Sequence, residues 1–186
     1  MKMSAHSIEL SSFLIIISLG IILLYSYYYL ATHNKANVNA LWGNIRNIKH
    51  LIPIYIGSMF LSAIGFLLAL YYLYKTKSVT LYEKKMIPLS LIVIVSASIF
   101  WMPLSLNYLN LKNKTNLSST YLKYLIISVL TIVAFASLYS TRLINNIREK
   151  NYKLEQKIAT IGMSYFFIHT FFFDNLSWNY NFFKFI

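Results

Sequence analysis

The chain has 186 residues, of which 58% are hydrophobic and only 12% charged. Soluble domains carry about 25% charged residues, so a fold surrounded by water is excluded: it could not cover this much apolar surface. Seventeen Lys and Arg stand against five Asp and Glu, for a net charge of +12, and the absence of Cys excludes disulfides, thiolate metal sites and thiol catalysis.

The basic residues lie mostly in short gaps between apolar runs, not on one polar surface. They therefore suit anionic lipid headgroups at the inner loops, and nucleic acid is not expected as a partner. The apolar runs predict an all-α, polytopic membrane helix bundle with five transmembrane helices in a single domain. The expected spans are 10–31, 51–74, 86–109, 121–143 and 158–174. Each is judged against the roughly 20 helical residues needed to cross a bilayer core.

The first span is longer than a signal-peptide core. Tyr28, Tyr29 and Leu30 stand where a cleavage site needs small residues, so it is expected to remain uncleaved. Tyr25, Tyr27, Tyr28 and Tyr29 form an interfacial aromatic belt at its end. In the gap that follows, Val38, Leu41, Trp42, Ile45, Ile48 and Ile52 keep helical spacing, with polar residues between them. This predicts a short amphipathic helix in the headgroup region, although Gly43 weakens it.

The second span starts with Pro53 in its first turn, where a missing N–H costs least. Ser58, Ser62, Gly65 and Ala69 make one narrow stripe of small side chains, expected to admit a close-packed neighbouring helix. A tight basic loop with Lys75, Lys77, Lys84 and Lys85 leads to the third, central span. Pro103 lies deep inside it, removes the hydrogen bond to the Ile99 carbonyl and predicts a kink. Ser98, Trp101, Met102 and Ser105 share one face there, expected to point inward. Together with His169 they are the candidate lining of a cavity for an apolar ligand.

The fourth span carries hydroxyls that can bond back to their own helix, and Arg142 ends it. The fifth is the weakest, with 16 uncharged residues from Ile158 to Phe173. It spans with local thinning or continues through Asp174 towards Trp178.

If all five segments cross, one face collects ten Lys or Arg and the other seven. This excess places the N-terminus in the cytoplasm and the C-terminus outside or in a lumen. Three Asn-x-Ser/Thr sequons, at Asn113, Asn116 and Asn175, fall on the expected outer face.

Catalytic chemistry is sparse. His169 is the one titratable group well inside an expected span, and helical spacing puts Asp174 on a different face. His6, His33 and His50 are too dispersed for a metal site. No HExxH, GxSxG or glycine-rich phosphate loop occurs. No catalytic, cofactor-binding or metal-binding residues are assigned, no cofactor is expected, and the chain is not expected to be an enzyme. The leading expectation is a structural or interaction component of a membrane, with a protein partner or a second copy of itself. The alternative is a binder or carrier of a lipid or apolar small molecule beside the third helix.

Overall fold

A computed structural model describes residues 8–34, 39–48, 50–111, 116–148 and 151–185. The chain is helical, with α1 at Leu10–His33, a 3-10 turn at Gly43–Asn47, α2 at Leu51–Lys75, α3 at Leu81–Leu111 and α4 at Asn116–Asn146. The last segment starts as α5 at Lys153–Ile168, widens into a π-helix at His169–Trp178 and closes as α6 at Asn179–Phe185. Four helices are long and apolar enough to cross a membrane: Leu10–His33, Leu51–Lys75, Leu81–Leu111 and Ser119–Asn146.

Local chemistry sets several helix ends. The Thr80 backbone N–H donates to Glu83 Oε2 at 2.7 Å, and the Glu83 N–H donates to Thr80 Oγ1 at 3.2 Å. This reciprocal capping box starts α3 a turn and a half before its apolar run. At the end of α4, the Gln156 amide donates to the carbonyls of Ile144, Asn145 and Ile147. It satisfies acceptors that a helix C-terminus leaves open and ties α4 to the start of α5.

α3 packs antiparallel on α4, α5 lies between α4 and α2, and α1 leans on α3. Two apolar clusters result. At the end holding the basic α2–α3 connection, Tyr72, Leu73, Ile87, Leu91, Ile94, Ile144 and Met163 are buried together. At the other end, Ile45, Tyr55, Leu106, Ile126, Trp178 and Phe182 form the second cluster. The outward faces are apolar as well. Leu24 is 71% exposed, Phe60 68% and Leu67 62%. Hydrocarbon, not water, is the medium in which such faces carry no penalty.

Ser58, Ser62, Gly65 and Ala69 are all buried along α2. At their centre α2 crosses α5 backbone to backbone. A methyl placed on Gly65 would lie 2.5 Å from the Gly162 carbonyl oxygen, and one on Gly162 would lie 2.7 Å from the Gly65 Cα. Only paired glycines permit this approach.

In the connection between α1 and α2, residues 39–40 are α-helical and Gly43–Asn47 form the 3-10 turn, so the described part is helical but not one continuous amphipathic helix. Leu41 and Ile45 are buried, and the 3-10 turn packs against α6. Gly43 adopts a φ of +50°, a left-handed conformation that a side chain resists. The glycine that weakens a helix at this point is the residue that makes the turn. Val38 and Lys49 lie outside the described residues. α3 runs as one helix through both Pro88 and Pro103. The Tyr27 hydroxyl donates to the Ser98 carbonyl at 2.7 Å, one residue before the carbonyl that Pro103 leaves without its usual donor.

The sequons also read differently in three dimensions. Asn175 is buried, and its amide donates to Thr131 Oγ1 at 2.9 Å, so it is committed to the bundle interior. Asn113 and the Asn116 side chain lie outside the described residues.

Candidate functional site: a polar core around the π-helix

An α-helix turns 100° per residue, which separates positions i and i+5. A π-helix bonds i to i+5 and is wider. The segment His169–Trp178 is π-helical, and this brings together two residues that helical spacing in the sequence keeps apart. His169 Nε2 lies 3.4 Å from Asp174 Oδ2. This corrects the expectation that the two occupy different faces.

The other ring nitrogen of His169 faces α2. Ser58 Oγ lies 2.8 Å from His169 Nδ1. The Tyr165 hydroxyl, one α-helical turn before His169, lies 3.0 Å from the same Ser58 oxygen. A continuous polar chain therefore runs Tyr165, Ser58, His169, Asp174. Ser58 is 5% exposed and His169 4%. The Asp174 side chain retains 25%.

Aromatic rings enclose the chain. The Phe173 ring stacks on the His169 ring with centroids 5.7 Å apart, and Tyr55 meets Phe173 edge-on at 5.3 Å. The Tyr55 hydroxyl donates to the Phe173 carbonyl at 3.0 Å, which pins the π segment to α2. Further along, Asn179 Nδ2 donates to both Asn175 oxygens. The Trp178 indole donates to the Leu41 carbonyl at 2.7 Å, fixing the 3-10 turn.

The five candidate cavity residues are divided by the fold. His169 belongs to the polar chain. Trp101 instead packs between Tyr27, at 5.9 Å, and Trp178, at 5.2 Å. The Ser98 and Ser105 hydroxyls return to carbonyls of their own helix, at Ile94 and Trp101. Met102 is buried among Leu106, Ile126 and Trp178. Trp101 Nε1 is buried without a hydrogen-bond acceptor.

A separate cavity of about 360 Å³ lies at the opposite end of the bundle. Glu9, Ser12, Leu81, Lys84, Lys85 and Pro88 line it, and Lys84 Nζ lies 3.1 Å from Glu9 Oε1. Among the described residues, no three His, Asp or Glu side chains converge as metal ligands would.

Sequence reasoning singles out Ser58 for packing and His169 for a cavity, but misses their contact. It also misses Tyr165 and the pairing with Asp174. Nothing in the local residue pattern marks a π-helix.

These features define a helical bundle with membrane-spanning character and a hydrogen-bonded polar core. The chain matches no family model, no curated protein and no solved structure.

Proposed function

We propose that the chain is an integral membrane protein that crosses the bilayer five times and serves as a structural or interaction component of that membrane. The observation that carries this reading is the Gly65–Gly162 crossing. In lipid there is no hydrophobic drive between helices, so backbone-close packing must hold them. Here that packing lies beneath outward faces rich in exposed apolar side chains.

The fifth crossing is supported by the unbroken helical path from Lys153 to Phe185. Between Ile158 and Phe183 its one charged residue is Asp174, which is paired with His169. The cytoplasmic placement of the N-terminus rests on the ten-to-seven bias of basic residues. On this reading the cavity with Lys84 and Lys85 sits at the cytoplasmic surface, where anionic headgroups meet the protein.

A second reading, a carrier for an apolar molecule, is favoured by the buried, acceptor-free indole of Trp101. A carbonyl or ether on a ligand would satisfy that donor.

Native mass spectrometry of gently extracted protein separates the two. The first reading expects a partner chain or a second copy, together with retained anionic lipid. A bare monomer holding one discrete apolar molecule, released by Trp101→Ala, would support the second and contradict the first.

A further inference from the structure

The geometry points to Ser58 as the nucleophile of an acyl-transfer site inside the membrane, acting on carboxylic esters of lipids. Three observations bear on this site. The first is the constellation itself: a hydroxyl 2.8 Å from an imidazole nitrogen, and a carboxylate 3.4 Å from the other. A nucleophile touching a base, and a base held by a third group, is the signature of covalent acyl transfer, recognised by geometry and not by sequence order. The second is the place. Ionisable side chains deep in an apolar bundle are costly, and where they occur they mark function. The third is the π-helix. Such distortions are rare and frequent at functional sites, and here the distortion is what brings Asp174 to His169.

Each group has a part. Ser58 Oγ attacks the ester carbonyl carbon, forming an O–C bond while the carbonyl pair moves onto its oxygen. The Ser58 proton passes to His169 Nδ1. Tyr165 O–H, 3.0 Å from the nucleophile, is the group assigned to donate to the new oxyanion. The intermediate collapses and expels the alcohol, which takes the proton from His169. Water then attacks the acyl-serine through the same exchange, releasing the carboxylic acid and restoring Ser58. Asp174 is a positioning residue: its Oδ2 lies 3.4 Å from Nε2, on the side of the ring away from the serine, where it holds the imidazole with Nδ1 towards Ser58.

The surroundings select the substrate class. Beside the polar chain stand the ring of Phe173, stacked on His169, and that of Tyr55, edge-on to Phe173, surfaces that suit an apolar substrate. Ser58 lies about 10 Å along α2 from Leu51, a depth that acyl chains occupy in a bilayer. A long-chain acyl ester is the chemistry that fits.

The test uses the full chain in phospholipid nanodiscs and an alkyl fluorophosphonate, which captures activated serines covalently. The expected result is one adduct per chain, mapped by peptide mass spectrometry to Ser58. Ser58→Ala abolishes it, whereas Ser137→Ala, another buried hydroxyl, leaves it unchanged. His169→Gln slows capture by about 100- to 10,000-fold. Asp174→Asn also slows it, and Asp174→Glu restores it, at an unchanged melting temperature. Absence of an adduct on the unmodified chain, or an adduct mapped to another residue, overturns the proposal whatever the stability of the variants.

Discussion

Glycines 65 and 162 show how single atoms set the packing of this bundle. A Cβ at either position would meet backbone of the other helix at 2.5–3.0 Å, whereas nothing lies within 4 Å of a Cβ at Gly57 on the same helix. Backbone cannot yield as a flexible side chain can, so α2 and α5 would have to separate. Gly65→Ala and Gly162→Ala should each destabilise the fold by about 1–3 kcal/mol, and Gly57→Ala should leave it within about 0.5 kcal/mol. Equilibrium unfolding in mixed micelles checks both; an equal cost at all three positions would refute the close crossing. Trp178 makes a second residue-scale case. Trp178→Phe keeps the stack on Phe182, whose ring lies at 4.3 Å, but leaves the Leu41 carbonyl without its donor. A loss of about 1–3 kcal/mol is expected in the same assay. The small-residue stripe on α2 was legible in the sequence because four small side chains repeat at helical spacing. Its partner was not, because Gly162 has only Ala159 beside it on the same face, with Phe166 one turn on, and so no run of small side chains marks α5.

At the scale of elements, the two features that shape the far end of the bundle are the 3-10 turn and the π-helix. The turn depends on Gly43. A side chain there would adopt an unfavourable φ, and its Cβ would lie 2.7 Å from the Asn181 carbonyl oxygen in α6. Gly43→Val should therefore release the turn from α6 while α1 to α5 stay folded. Hydrogen exchange should rise at residues 41–48 and 179–185 and remain unchanged in α3 and α4. Uniform protection throughout would show that Gly43 is not the hinge of that contact. Long apolar helices are the most readable elements in such a chain, since composition alone dictates them. The π-helix is the least readable: a 100° periodicity places His169 and Asp174 some 140° apart, and only the wider turn makes them neighbours. The start of α3 was readable in principle, for Thr80-x-x-Glu83 is a capping-box pattern. It stands outside the apolar run by which the span was delimited, so the helix begins earlier than the hydrophobicity suggests.

For the whole molecule, apolar side chains cover the outward faces as well as the interior. Of α1, Phe13 and Ile16 are buried, while Leu14, Ile17, Ile21 and Leu24 point away from the bundle. On the membrane reading, lipid covers them. The antiparallel packing of α2 on α5 and of α3 on α4 agrees with alternating crossings, which would put the α2–α3 connection and the C-terminal segment on opposite faces. The chain has no Cys, so single introduced thiols report sidedness without background. The most direct measurement is labelling of Lys77→Cys, Asn47→Cys and Tyr180→Cys in intact cells with a membrane-impermeant maleimide. Asn47→Cys and Tyr180→Cys should react from outside, and Lys77→Cys only after the membrane is opened. Reaction of Tyr180→Cys and Lys77→Cys from the same side would contradict the five-crossing bundle.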